Sequence, residues 1–436
     1  MKQTILRSAG VLLFASSCAL AACSDDDAKT GDGPDVRTAR SALPRDLSPN
    51  VSAEDQAELV RGNTAFAIDL YQTLRKEAPA ESLFLSPHSI STALAMTYAG
   101  ARGATETEMA STLHFTLPQD RLHPAFDWLD LALESRGKGA TGKDGQPFRL
   151  RVTNSTWGQE DMPFEQPFLD RLAVSYGAGV NLVDFRANAD GARTTINAWV
   201  EEETETRIKD LIPAGKLTSD TRMVLVNAVY FNAAWQKAFE KSATADAPFT
   251  KLDGTTTTVS MMNAPALEAR YVHGAGYDAV AVPYDGSEMS MVLVVPEAGS
   301  FAAFEDGLTG ESFAAILGAL APETVKLGMP KFRQEGSFGL KAPLQALGMR
   351  AAFGGADFSG ITTAESLSVE DVLHKTFLDI DESGTEAAAA TAVIVTRESA
   401  SIPSVTLTID RPFFLAIVDD ATKAPIFVGR VLDPKK

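Results

Sequence analysis

The chain has 436 residues, 45% of them hydrophobic, and a formal net charge of -18. That is enough apolar material for a sizeable core, and so acidic a chain does not bind nucleic acid without a local basic patch. Both cysteines, Cys18 and Cys23, fall near the N-terminus, which leaves the rest without a disulfide framework, a cysteine nucleophile or a thiolate metal site.

Lys2 and Arg7, then Val11-Leu12-Leu13-Phe14, then Leu20-Ala21-Ala22-Cys23 have the basic, apolar and small-residue order of a secretory signal, too short to span a membrane. The last four residues resemble the bacterial lipobox, which implies cleavage before Cys23 and lipidation of its thiol. Residues 1–22 are therefore expected as a lipoprotein signal peptide and 23–50 as a lipidated cysteine with a disordered acidic tether. The tether is rich in Asp, Gly, Pro and Ser and would reach about 30 Å. Losing Lys2 and Arg7 and no acid takes the net charge from -18 to -20. Residues 51–436 are expected as one domain, because no second low-complexity linker or internal repeat interrupts them.

Within the domain, Phe66, Ile68, Leu70, Tyr71 and Leu74 predict a helix over 62–76. Leu83-Phe84-Leu85 reads as a short buried strand ended by Ser86-Pro87, and Ser89 to Ala99 as a second helix. Thr105 is read as the N-cap of a helix over 106–113. Arg136, Lys138, Lys143, Arg149 and Arg151 lie among small residues and read as a solvated loop rather than a polyanion site. Val152 to Trp157 is a predicted strand and Ile196 to Ile208 a predicted helix. The run Met223 to Asn232 is almost continuously apolar, as in a strand buried on both faces, and its one amide, Asn227, must have a fixed partner. A hairpin is expected around Asp285-Gly286, a strand over 325–332, and a helix through Leu340, Leu344 and Leu347 ending at Gly348. Three more strands follow Val405, Arg411 and Ile426.

The stretch Glu382-Ser383-Gly384-Thr385-Glu386, followed by Ala387, Ala388, Ala389 and Ala390, organises the rest. By propensity it is a helix with a capping box from Ser383 to Glu386. The β-branched Val393-Ile394-Val395-Thr396 and the small polar residues after it suit a segment that is loop in one state and strand in another. As a strand it would put Thr385, Ala387, Ala389, Thr391, Val393 and Val395 on one face, all able to cover a core.

This stretch resembles the reactive-centre hinge of inhibitory serpins. Ser86-Pro87-His88-Ser89-Ile90, Leu225-Val226-Asn227-Ala228, Ala234-Trp235, Phe239 and the C-terminal strands extend the resemblance over the chain from about residue 57. It implies an α+β fold: a serpin-like single domain with three β-sheets, surrounding helices and an exposed reactive-centre loop over about 382–403. It implies that Ser86, Ser89, Asn227 and His374 form a structural shutter beneath the main sheet, and that Trp235 marks the breach where the loop enters. The usual family register places the reactive bond at Glu398–Ser399; a register one shorter places it at Arg397–Glu398, and Thr396 stays open.

The function implied is irreversible suicide inhibition of serine proteases, with cysteine proteases also admitted. The cleaved loop would insert into the main sheet and trap the acyl-enzyme. The partners would be glutamate-specific or trypsin-like proteases in covalent complex, with the membrane met through the lipid anchor alone. A monomer with no cofactor and no metal, held at a bacterial cell envelope, is expected. The alternative is a non-inhibitory serpin-like surface binding or adhesion module; the small, uncharged inserting face favours inhibition. An enzyme is not expected: His88, His114, His123, His273 and His374 show no metal spacing, and no Gly-x-Ser-x-Gly elbow occurs.

Overall fold

The computed structural model describes residues 36–385 and 402–435. Its first long helix, Ala53–Glu77, starts earlier than apolar spacing suggests, because Ser52 caps it by accepting from the Asp55 amide. Acidic residues in its first turn and Arg75 and Lys76 in its last complement the helix dipole. Helix Pro87–Tyr98 is buried along its whole length, including its polar residues His88, Ser89, Ser91, Thr92 and Thr97. The next helix, Gly103–Thr112, begins two residues before the predicted cap. Thr105 lies inside its first turn, where its hydroxyl accepts from the Asp357 amide at 2.9 Å.

Among the described residues, one sheet has seven strands, in the order Thr38–Ala39, Val180–Val183, Arg149–Gln159, Met223–Ala234, Gly384–Thr385, Val372–Asp381 and Phe332–Gly339. Met223–Ala234, the central strand, is buried on both faces as its sequence predicts. Leu225, Val229 and Phe231 join the main core, whereas Val224, Val226 and Ala228 join a smaller one beneath helix Phe185–Glu203. That helix begins before the predicted 196 and stops at Glu203, since Glu205 and Thr206 both adopt positive φ.

Among the described residues the other sheet has nine strands. Three sheets are expected, and two hydrogen-bonded units are found among the described residues. The 19-residue strand Thr256–Gly274 explains the difference. It pairs with Ala245–Thr250 along its first part and with Ala321–Pro330 and Tyr277–Pro283 further on, so bonding is continuous between groups that would otherwise be separate. The predicted hairpin around Asp285-Gly286 joins Tyr277–Pro283 to Met289–Pro296, and helix Lys341–Leu347 ends at Gly348 with φ 121°.

The domain boundary drawn at residue 50 moves towards the N-terminus. Residues 36–50, expected in the tether, pack on the domain. Thr38–Ala39 adds an edge strand to Val180–Val183, and Ser41 Oγ donates to Asp170 at 2.5 Å. Arg45 bonds Asp127, Asp130 and Glu134 at 2.8, 2.5 and 2.9 Å. Those carboxylates share one face of helix Gln119–Glu134, which the sequence reading passed over, and they supply the counter-charge that holds the segment down. Cys23 lies outside the described residues.

Candidate functional site

The buried amide of Asn227 has the partners its position demands. Its Nδ2 donates to Ser89 Oγ and, at 2.6 Å, to Asn154 Oδ1, while Ser89 Oγ donates to Asn154 Oδ1 at 2.9 Å. Asn227 Oδ1 accepts from Nδ1 of His374, whose Nε2 accepts from the Ser86 amide at 2.9 Å. An amide N–H on one ring nitrogen and a carbonyl oxygen on the other fix a neutral imidazole protonated on Nδ1. Burial agrees, pulling the His374 pKa down to about 3. Ser86 Oγ donates to the Ile426 carbonyl at 2.8 Å and also accepts from the Ser89 amide, capping helix Pro87–Tyr98. The cluster ties that helix to the central strand and to Val372–Asp381, the hinge-side strand, where the two pair in parallel from Val372↔Leu225 to Lys375↔Ala228.

Above Lys375 the two strands no longer pair with each other. At the top, Gly384–Thr385 lies between them, with Asp381↔Gly384 and Ile380↔Thr385 on one side and Gly384↔Ala234 and Thr385↔Ala233 on the other. The segment expected as exposed loop from residue 382 thus begins inside the sheet. Gly384 has φ 150°, and a Cβ there would sit 2.2 Å from the Ala233 carbonyl oxygen. Only glycine fits so close an approach.

Trp235 Nε1 donates to the Asp381 carbonyl at 2.9 Å, and its ring stacks on Tyr284 at 4.7 Å. The Tyr284 hydroxyl meets Thr385 Oγ1 at 2.7 Å, and Thr385 is fully buried. Glu382 accepts from Thr244 Oγ1 at 2.7 Å and pairs with Lys331 Nζ at 2.7 Å. Burial alone would raise the Glu382 carboxyl; these bonds outweigh it and hold it below its ordinary value. The amides of Trp235 and Phe239 donate to the carbonyls of Ser383 and Glu382 at 3.0 and 2.9 Å.

The structure therefore gathers Ser86, Ser89, Asn227 and His374 in one cluster and Trp235, Glu382, Gly384 and Thr385 in another. Ala387, Ala388, Ala389, Ala390, Arg397, Glu398 and Ser399 lie outside the described residues. Sequence reading missed Asn154, Thr244, Tyr284 and Lys331. It also missed that Gly137-Lys138-Gly139-Ala140-Thr141-Gly142 has the glycine spacing of a dinucleotide loop. The segment follows helix Gln119–Glu134 and precedes strand Arg149–Gln159, the reverse of the strand-to-helix context such a loop needs, so it carries no nucleotide site.

A two-residue strand thus stands between two strands whose upper halves are otherwise unpaired to each other. The model of the family described as "Serpin (serine protease inhibitor)" matches residues 61–434. The chain belongs to the serpin family. It is 35% identical to an uncharacterised serpin-like protein of Thermococcus kodakarensis over the full length of both chains. It is 36% identical to the leukocyte elastase inhibitor of Bos taurus, over 86% of this chain and all of the other. Among solved structures, the thermophilic serpin tengpin in its native state matches with a TM-score of 0.78 at 28% identity, covering 91% of this chain and 99% of that one.

Proposed function

We propose that this protein is an irreversible suicide-substrate inhibitor of serine proteases, anchored to a bacterial cell envelope through a lipid on Cys23. The observation that carries the reading is the strand Gly384–Thr385, seated between the central and hinge-side strands at the head of their unpaired stretch. The protease serine attacks the carbonyl carbon of Glu398, or of Arg397 in the shorter register. The peptide bond breaks, the new amine leaves on the following residue, and an ester joins inhibitor to protease. The freed segment then continues the strand downward before water reaches the ester. About ten new ladder hydrogen bonds at about 1 kcal/mol each, with apolar burial added, give on the order of 10 kcal/mol. That rivals the whole stability of a domain, about 5 to 15 kcal/mol, and is enough to distort a captured protease. The relatives named as elastase inhibitors support the reading.

The test is incubation with trypsin and, separately, with a glutamate-specific serine protease. A denaturant-resistant covalent complex is expected with one of them, together with a C-terminal peptide whose mass starts it at Ser399 or at Glu398. Thr385→Arg would place a charge at a fully buried position and should leave the loop cleavable while abolishing the complex. Clean cleavage by both enzymes without any complex would overturn inhibition of these classes and favour a surface binding module.

A further inference from the structure

The basic stretch between Leu133 and Arg151, expected to be solvated, is folded onto the head of the seven-stranded sheet. Residues 140–148 form a tight hairpin, with Gly142 N donating to Gln146 O at 2.6 Å and Phe148 N to Ala140 O at 3.0 Å. It is fastened to the central strand, whose Ala234 amide donates to the Thr141 carbonyl at 3.0 Å. Arg149 holds its base through Asp144 and, at 3.2 Å, Glu205. At the tip is Lys143, whose side chain is only 2% exposed. Its amide donates to Asn232 Oδ1 on the central strand at 2.8 Å. Its ammonium lies 3.1 Å from Asp381 Oδ2 and donates to the Asp379 carbonyl at 3.4 Å, both on the hinge-side strand. One residue thus holds both walls of the stretch where the two strands do not pair.

The register shows what that contact blocks. Asp381 pairs with Gly384 and Ile380 with Thr385, so continuing the same antiparallel ladder sets position 386 opposite Asp379. Backbone groups of alternate residues point to the same side of a strand, which makes the Asp379 carbonyl the acceptor that the next inserted residue needs. The Lys143 ammonium occupies it.

We infer that Lys143 is a positioning residue for loop insertion: a crossbar over the head of the sheet that must release Asp379 and Asp381 before the strand can grow past Thr385. This rests on the insertion reading above, and it makes Lys143 a determinant of how fast the sheet opens.

The test needs no protease. The intact protein is incubated with a labelled synthetic peptide carrying the sequence of residues 386–397, and uptake into the sheet is timed on native gels. Lys143→Met, which keeps the apolar stem and removes the charge-assisted bonds, should take up peptide about tenfold faster than the parent. Asp381→Asn, at the more exposed end of the contact, should also be faster, and Lys143→Arg should return towards the parent rate. Unfolding midpoints without peptide are measured alongside, because a merely structural lysine would lower the midpoint and leave the uptake rate unmoved. Uptake by Lys143→Met and Asp381→Asn within about twofold of a parent that does take up peptide would overturn the crossbar alone. No uptake by the parent or any folded variant would overturn the insertion reading, and the crossbar with it.

Discussion

His88→Leu should make the protein markedly less sensitive to acid. His88 is buried in helix Pro87–Tyr98, and neither ring nitrogen has a hydrogen-bond partner among the described residues. Burial pulls its pKa from 6.5 to about 4; His123 and His374 are likewise pulled to about 3. A histidine whose folded pKa is depressed contributes its full stability above the unfolded value and loses it as pH falls towards the folded one. Between pH 7 and pH 5 each of the three therefore costs about 2 kcal/mol, because the unfolded chain takes up a proton the folded chain refuses. Asp127 works in the opposite direction. Burial pushes its carboxyl up to about 6, so it returns about 1 kcal/mol over the same interval. These four groups together cost the parent about 5 kcal/mol, and His88→Leu should reduce that to about 3 kcal/mol. At pH 7 the variant should be no less stable than the parent, since leucine fills a similar volume and removes buried polar atoms that lack partners. Urea unfolding followed by tryptophan fluorescence at pH 7 and pH 5 measures both quantities. If the gap between the two midpoints is the same in variant and parent, His88 is not a source of the acid sensitivity and the reasoning fails.

Arg45→Ala should cost about 3 kcal/mol at pH 7 by leaving Asp127 buried without its cation, and less at pH 5, where Asp127 is protonated; the same urea series reads this. Glu305→Gln breaks a buried pair in which Arg430 Nη1 lies 3.1 Å from both carboxylate oxygens, and it also disturbs the bond from Tyr71. A drop of about 3 to 5 kcal/mol in unfolding free energy is expected. Gly384→Ala should expel the short strand from the sheet, because its Cβ would meet the Ala233 carbonyl; hydrogen exchange at the Thr385 amide should then speed up by orders of magnitude while exchange along Phe413–Asp419 stays slow.

Much of this site was legible because it lies in short runs with unusual composition. Asn227 was conspicuous as one amide in an apolar strand, and the demand for a partner led to a cluster that the fold does assemble. Asn154 escaped because it stands between Thr153 and Ser155, where a polar residue resembles the wet side of an alternating strand. Tyr284 and Lys331 escaped for a different reason: each meets the hinge across a long stretch of chain, and no local period records such a pairing. Lys143 was misread because lysine among glycines has the composition of a loop tip. Its burial is decided by Asn232, Asp379 and Asp381, which the chain brings together only when the sheet forms. The tether was overextended in the same way, since nothing near Arg45 in sequence announces three carboxylates on a distant helix.

The strand Gly384–Thr385 also bears on time. Starting a new strand in a sheet is slow because chain entropy is lost before any ladder bond repays it, whereas adding residues to a strand already begun is fast. Here the nucleus exists in the intact protein, with its register set by Asp381↔Gly384. A slip of one residue would turn the buried Thr385 outward, and the observed register already excludes that. If the strand grows as proposed, it would do so as an elongation from a fixed origin, and the obstacles ahead of Thr385 would set its speed rather than a search for the right alignment.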